Sequence, residues 1–289
     1  MTARPALVAW MLGILSGWPS DLRAAAIFVP AGGSIQAAID AASPGDTILL
    51  EPGTYPGAIV IDKSLRIAGR GVAYIDAQGA AVGIDIAADD VSIGVRRLAA
   101  VALFLTGTCP TEAAIRVTGR RGITIRNVGT NTSLCDGPAH PVGIDVTDVT
   151  DVRFRNVTGE GDQIGMRLRQ LVLGAGVKLV RIVGSASGDP NVAGILLEDI
   201  APGAALARSG LRLIRGSYFS NFGEFAVRLV DADGVLMSRE HIGGSIDIDA
   251  TSDNNFIRGF TVLNGVANDA GSGNCFRNNE NIPNNCSLP

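Results

Sequence analysis

The chain has few aromatic residues, only two histidines and no closely spaced cysteine pair. Aromatic residues make up 5% of the 289 residues while hydrophobic residues make up 46%, so the core must be mostly aliphatic. Neither His140 nor His241 has a recognisable catalytic partner motif. The absence of a Cys-x-x-Cys spacing argues against zinc-binding and thioredoxin-like sites. The net charge of −4 is mild and gives no overall basic footprint for nucleic acid.

Beyond its first residues, the sequence contains no apolar run long enough to cross a membrane. The N-terminus combines Arg4, an apolar stretch over 6–15 and the small residues Ala24 to Ala26, which is typical of a secretory signal. We therefore expect a signal peptide over 1–26 and a single mature domain over 27–289. The mature protein would be periplasmic or secreted, with no membrane contact after cleavage. An uncleaved N-terminal anchor is the alternative.

The chain has four cysteines, which is consistent with disulfide bonds formed in an oxidising compartment. They permit three disulfide connectivities, which sequence alone does not distinguish. We favour the local pairs, Cys109 with Cys135 and Cys275 with Cys286, because a stacked repeat keeps sequence neighbours close in space. Such bridges would have a structural role.

A pattern of short alternating strands repeats along the whole chain. A small residue is followed by apolar, variable and apolar residues, then by a gap and a second alternating strand, as in 83–86 with 91–93 and 143–146 with 151–157. The repeats begin roughly 19 to 32 residues apart, which indicates a solenoid with inserts in its turns. The pattern predicts an all-β, parallel β-helix. Asn127 and Asn156 share one turn position in successive coils, which predicts stacked, hydrogen-bonded asparagines.

The ends of a solenoid expose core and unpaired strand edges, so both ends need covering. Residues 34–42 predict an amphipathic helix that begins after Ser34 and caps the N-terminal end. The polar, asparagine-rich segment 274–289 is the candidate for the other end.

The N-terminal part of the chain resembles a known superfamily. The segments that carry the likeness are Ser34-Ile-Gln-Ala-Ala-Ile-Asp40, Pro44-Gly-Asp46-Thr-Ile48, Pro52-Gly-Thr-Tyr55 and Leu65-Arg-Ile-Ala-Gly-Arg-Gly71. They resemble the opening of pectate-lyase-like β-helix proteins, and more narrowly the carbohydrate-binding and sugar-hydrolase group. The resemblance implies a right-handed β-helix that engages polysaccharide, and Ca²⁺ as a conceivable cofactor. It does not imply catalysis: the chain lacks Gly-His-Gly, and Asp189-Pro190-Asn191 lacks the histidine of the epimerase motif.

Outward positions of successive coils form rows that the repeat alignment predicts. The first strands give a row of mixed charge: Asp85, Arg116, Asp145, Arg167, Leu196, Arg228 and Asp247. This row forms either cross-coil ion pairs on a solvated face or a groove whose arginines bind carboxylates. The second strands give a basic row that could bind an anionic polymer, with candidate ligand-binding residues Arg153, Lys178, Arg212, Arg126 and Arg155.

The leading hypothesis is an exported β-helix that binds an anionic polysaccharide through these rows. A structural or surface protein without a glycan ligand is the first alternative. An uncharacterised polysaccharide lyase or hydrolase is the second, with Asp145, Arg167 and Arg116 as weak catalytic candidates. Whether the protein is an enzyme, and its oligomeric state, are left open by the sequence.

Overall fold

The fold is an elongated stack of parallel strands. The computed structural model describes residues 24–94, 103–105, 110–132, 141–161, 163–171, 178–186, 193–200, 212–214, 218–238, 241–259, 261–263, 266–279 and 285–286. Every strand pairing among these residues is parallel, and each strand pairs with the equivalent strand of the next coil. The predicted right-handed parallel β-helix is confirmed.

Within the described residues the strands form three sheets. Sheet 1 contains β1 (Ala26–Val29), β2 (Thr47–Leu50), β5 (Arg66–Gly69), β8 (Ser92–Gly94), β11 (Thr124–Gly129), β13 (Arg153–Gly161), β15 (Lys178–Ala186), β17 (Arg212–Ile214), β19 (Leu236–Ser238), β21 (Phe256–Arg258) and β24 (Cys275–Arg277). Sheet 2 contains β4 (Ile59–Ile61), β7 (Val82–Ile86), β10 (Ala113–Thr118), β12 (Val142–Thr147), β14 (Ile164–Arg169), β16 (Ala193–Ile200), β18 (Tyr218–Ala232), β20 (His241–Ile248), β22 (Thr261–Leu263) and β23 (Ala267–Asp269). The short sheet 3 contains β3 (Gly53–Pro56), β6 (Ala73–Asp76) and β9 (Leu103–Leu105).

The core is a set of aliphatic stacks along the solenoid axis. On sheet 2, strand alternation turns one set of residues inward, and parallel register places them directly above one another: Ile84, Ile115, Ile144, Met166, Ile195, Val227 and Ile246. Each of these side chains is 0% exposed. Burying a side chain of this size contributes about 1.5–3 kcal/mol of transfer free energy, so the stack is a main source of stability.

The chain passes very close to itself near the start of β12, at Gly143. A Cβ at Gly143 would lie 2.4 Å from the carbonyl oxygen of Gly165 and 2.8 Å from that of Glu160. At this coil only glycine leaves room for the neighbouring backbone.

The predicted asparagine pair lies at the turn within sheet 1. Asn127 and Asn156 have φ angles of 52° and 55°, a left-handed conformation that asparagine tolerates. The Nδ2 of Asn156 donates to the Oδ1 of Asn127 at 2.8 Å. The turn therefore carries a side-chain hydrogen bond between coils, as predicted.

Helix α1 (Ile35–Ala41) lies against β1 and β4, the first strands of sheets 1 and 2. Ser34 is its N-cap, and its side chain accepts a hydrogen bond from the Ala37 N–H. The Gln36 side chain bonds both the N–H and the carbonyl of Val60, on the outer edge of β4. Lys63 donates to three carbonyls at the helix C-terminus. The capping role stays a prediction that rests on these contacts.

The start of the described chain is fixed to the first coil through Asp46. Its Oδ1 accepts the Ala25 N–H at 2.6 Å and its Oδ2 accepts the Ser43 N–H at 2.8 Å. These backbone hydrogen bonds lower the pKa of Asp46. Strand β1 begins at Ala26, the last residue of the predicted signal peptide, and residues 1–23 lie outside the described chain. No helix among the described residues is long and apolar enough to span a membrane.

The C-terminal segment contains a further strand of sheet 1. Strand β24 pairs with β21, and Asn285 then bonds both the N–H and the carbonyl of Phe276. The predicted Cys275–Cys286 disulfide is present, with a Cα–Cα distance of 5.1 Å. Cys109 and Cys135 lie outside the described residues, so their bridge stays a prediction.

Removing the Cys275–Cys286 bridge is expected to destabilise the C-terminal coil by about 2–3 kcal/mol, the chain-entropy value for a loop of this length. The closed loop spans 11 residues and holds Asn285 against the edge of β24. The double variant Cys275→Ala, Cys286→Ala should show faster amide exchange in β24 than the parent. An unchanged exchange rate in β24 would show that the bridge is dispensable.

Candidate functional site

Sheet 2 carries a row of charged residues on its outer face. In coil order this charged row is Asp85, Arg116, Asp145, Arg167, Leu196, Arg228 and Asp247, each in register with the next. Parallel pairing places neighbouring members about 4.8 Å apart. The row brings the three weak catalytic candidates, Asp145, Arg167 and Arg116, onto adjacent coils.

Asp145 is the centre of the strongest ion pair in the row. Its two carboxylate oxygens accept hydrogen bonds from Nε and Nη2 of Arg167, at 3.0 and 2.5 Å. Arg169 lies 3.7 Å from the same carboxylate and donates from Nε to the Thr147 hydroxyl. Asp145 is 7% exposed, although it lies on the outer face, because the longer arginine side chains cover it.

Arg116 makes a second ion pair one coil away. Its Nη2 donates to Asp85 at 2.8 Å, and its Nη1 donates to Glu112 at 2.8 Å. Together the two carboxylates accept from all three nitrogens of the guanidinium, since Asp85 also accepts from Nε at 3.4 Å. Its planar group is therefore held in one orientation on the face of the sheet.

A groove of about 790 Å³ lies over these pairs. The charged residues that line it are Asp85, Glu112, Arg116, Arg120, Asp145, Arg167 and Arg169. Residues 111–113 and Val142 border one side, at the strand starts, and Ala87 and Thr118 border the other. Four arginines against three carboxylates make the groove locally basic in a chain of net charge −4.

Arg120 is the groove residue with an unused donor. Its Nε is buried and has no hydrogen-bond partner among the described residues. A buried guanidinium donor without an acceptor costs free energy, which a bound anion or hydroxyl would recover. Arg120 therefore brings to the groove wall a guanidinium whose Nε is not satisfied by the described residues.

Pairing with carboxylates changes the pKa of two arginines of the groove. The hydrogen bonds that Arg167 donates to Asp145 raise the pKa of Arg167, and burial opposes this. The hydrogen bond to Asp85 likewise raises the pKa of Arg116. A raised pKa makes the neutral form, which a general base requires, less accessible.

The groove does not fit Ca²⁺ as it stands. Calcium takes six to eight oxygen ligands, and the carboxylates of Asp85 and Asp145 already accept from arginines. In the part of the chain that the structure describes, no group of three or more His, Cys, Asp or Glu side chains could hold a metal ion.

The basic row of sheet 1 lies away from this groove. Its members Arg153, Lys178 and Arg212 are in register, as are Arg126 and Arg155. Arg153 is 58% exposed and pairs with Asp151 of its own coil at 3.0 Å. The side chains of Lys178 and Arg212 lie outside the described part, and Arg126, Arg153 and Arg155 are not among the residues that line the groove. Their ligand-binding role stays a prediction.

Sequence reasoning missed two of the groove arginines. Arg169 follows Arg167 by two residues, so strand alternation places both on one face. The sequence alternation could therefore have predicted Arg169 as a neighbour of Arg167. Arg120 lies in the turn after β10, where no strand period applies. Only the folded turn brings it to the groove.

Comparisons with known proteins find similarity in structure but not in sequence. No family model and no curated protein sequence matches the chain. Among solved structures, the chain is similar to the PL6 family alginate lyase AlyGC at 13% identity and a TM-score of 0.38, covering 90% of this chain and 40% of that one. It is similar to pectate lyase Pel9A at 14% identity and a TM-score of 0.44, covering 86% of this chain and 78% of that one.

The chain is also similar to the A-module of the Azotobacter vinelandii mannuronan C-5 epimerase AlgE4, at 15% identity and a TM-score of 0.41. That match covers 88% of this chain and 93% of the module. The chain spans 40% of the length of the alginate lyase. The fold assigned to this chain rests on its own strand order and register.

Proposed function

We propose that this chain is an exported, periplasmic or secreted β-helix protein that binds an acidic polysaccharide in the groove of sheet 2. The observation that carries the proposal is the groove itself, with Arg116 and Arg167 held by carboxylates and the Nε of Arg120 unpartnered among the described residues. An open groove that crosses several coils suits an extended chain better than a small molecule.

The arginines keep donors for a ligand after their internal pairing. A guanidinium has five N–H donors, and Arg167 uses its Nε and one Nη2 hydrogen on Asp145. The paired carboxylates fix these guanidiniums, so little side-chain entropy is lost when a ligand binds. Sugar carboxylates would meet arginines, and sugar hydroxyls would meet the remaining carboxylate lone pairs.

Removing the charges of two arginines that line the groove is expected to weaken binding of an acidic polysaccharide at least about tenfold, the lower end for hydrogen bonds to charged groups. The variant is Arg120→Gln, Arg169→Gln, and the measurement is affinity for fluorescent polygalacturonate and hyaluronan at low and high salt. Parental binding should fall as salt rises.

The control matched in charge to the single variant Arg120→Gln is Arg121→Gln, at the next residue of the chain. Arg121 pairs with Asp89, its side chain is 72% exposed, and it does not line the groove. Arg153→Gln tests the basic row of sheet 1 in the same assay. Equal losses of affinity in Arg121→Gln and Arg120→Gln would mean that only the net charge of the protein matters, and the groove would no longer be the binding site.

Two alternatives have their own outcomes in this assay. A structural or surface protein would bind no acidic or neutral glycan at any salt concentration. A lyase or hydrolase would release short products from these polymers, with or without added Ca²⁺. The proposal expects binding without product release.

A further inference from the structure

The carboxylate of Asp46 is buried at the point where the described chain begins. Asp46 is 7% exposed, its Oδ1 accepts the Ala25 N–H at 2.6 Å, and its Oδ2 accepts the Ser43 N–H at 2.8 Å. Both donors are neutral backbone groups, and among the described residues no lysine or arginine side chain bonds to this carboxylate. Buried charges in proteins are normally paired with an opposite charge, and within the described chain Asp46 has no such partner.

Ala25 also takes part in the first strand pairing of the solenoid. Its carbonyl accepts the Thr47 N–H at 2.8 Å, and the next residue, Ala26, is in register with Thr47 at the start of sheet 1. A chain that begins at Ile27 would therefore leave the Thr47 N–H without this acceptor. It would also leave Asp46 with one of its two donors and shorten β1 at its N-terminal end.

Two cleavage positions fit the small residues that follow the apolar N-terminal stretch. The pattern of small residues at Ala24 and Ala26 favours cleavage after Ala26, which removes Ala25. Cleavage after Ala24 also has a small residue before the bond, although Leu22 stands where the pattern prefers another small residue. Signal peptides are removed during export, so the fold does not select the bond. It shows which mature chain keeps the first coil complete.

From these contacts we propose that the mature protein begins at Ala25 and that its α-ammonium group forms an ion pair with Asp46. A signal peptidase hydrolyses the Ala24–Ala25 bond: the water oxygen bonds to the Ala24 carbonyl carbon, the C–N bond breaks, and the nitrogen keeps the electron pair and takes up protons. The nitrogen 2.6 Å from Asp46 thereby gains a positive charge, and charge-assisted hydrogen bonds are about twice as strong as neutral ones. The inference uses the export in the proposed function and is independent of the groove.

The first test is the intact mass of the protein that cells export when they express the full chain. We expect the mass of residues 25–289, with Ala25 confirmed as the first residue by N-terminal sequencing. A start at Ile27, or at any other residue, would overturn the inference and leave export intact. A protein that keeps its first residues would contradict export as well as the inference.

The second test removes the charge of the α-amino group and keeps its N–H. Acetylation near neutral pH modifies an α-amino group, with a pKa of about 8, before a lysine, with a pKa of about 10.4. The acetyl carbonyl takes the place of the Ala24 carbonyl, so the N–H that bonds to Asp46 is kept. The unfolding equilibrium constant, measured with denaturant, should rise about fivefold, because a charge-assisted hydrogen bond becomes a neutral one.

The variant Asp46→Asn identifies the partner of the ammonium group. In this variant acetylation should change the unfolding equilibrium constant by less than about twofold, because the carboxylate that it would uncouple is gone. Asp40→Asn is the matched control, since Asp40 is an exposed carboxylate of α1 that accepts from Gln36. There acetylation should have the same effect as in the parent. An equal effect of acetylation in the parent and in Asp46→Asn would overturn the inference.

Discussion

Replacing Phe154 with alanine is expected to lower the free energy of unfolding by about 3–5 kcal/mol, the range for large aromatic truncations in a core. Phe154 is 1% exposed and is among the largest fully buried side chains of the described residues. It stacks on Ile125 of the previous coil and is in register with Leu179 of the next. A solenoid coil contacts only its neighbours, so little surrounding structure can collapse into the cavity.

Phe28→Ala is the matched control for this truncation. Phe28 lies on β1, is 59% exposed, and has Arg70 at 5.9 Å from its ring centroid. An exposed contact of this kind contributes about 0.5–1 kcal/mol. Denaturant unfolding of both variants checks the prediction. A loss at Phe154 no larger than the loss at Phe28 would mean that the stacked column is not the source of stability.

The alternating pattern was enough to predict the columns inside and outside the solenoid. In 83–86 it places Ile84 and Ile86 inside and Asp85 outside, and the structure has both isoleucines buried and Asp85 half-buried. In a parallel stack, equivalent strand positions lie on the same face of the sheet in every coil. One correct alignment of the repeats therefore assigns a whole row of residues to the inside or the outside. The charged row was predicted in full for this reason, because its register depends only on backbone period.

Sheet 3 could not be predicted from the same signal. Strand β3 contains glycine and proline, and its strands of three or four residues are too short to show a period. The burial of the Asp145 side chain could not be predicted from the sequence either. Period 2 assigns it to the outer face, but its burial depends on how Arg167 and Arg169 fold over it, which is a property of packed side chains.

Replacing Arg167 with methionine is expected to lower the free energy of unfolding by about 3–4 kcal/mol, within the range for breaking a buried ion pair. The change leaves the Asp145 carboxylate, whose side chain is 9% exposed, without its bidentate partner. Arg169, at 3.7 Å, compensates only in part. Arg70→Met is the matched control, because its pair with Glu51 is exposed and such pairs contribute about 0–1 kcal/mol.

The double variant Asp145→Leu, Arg167→Met separates stability from binding. It removes both charges together, so no uncompensated carboxylate remains, and the free energy of unfolding should return to within about 1 kcal/mol of the parent or exceed it. Binding of the acidic polysaccharide should still be lost, because the fixed guanidinium is gone. A stable double variant without binding would mean that this buried pair is kept for the ligand. A double variant that binds normally would make the pair a dispensable feature of the sheet face.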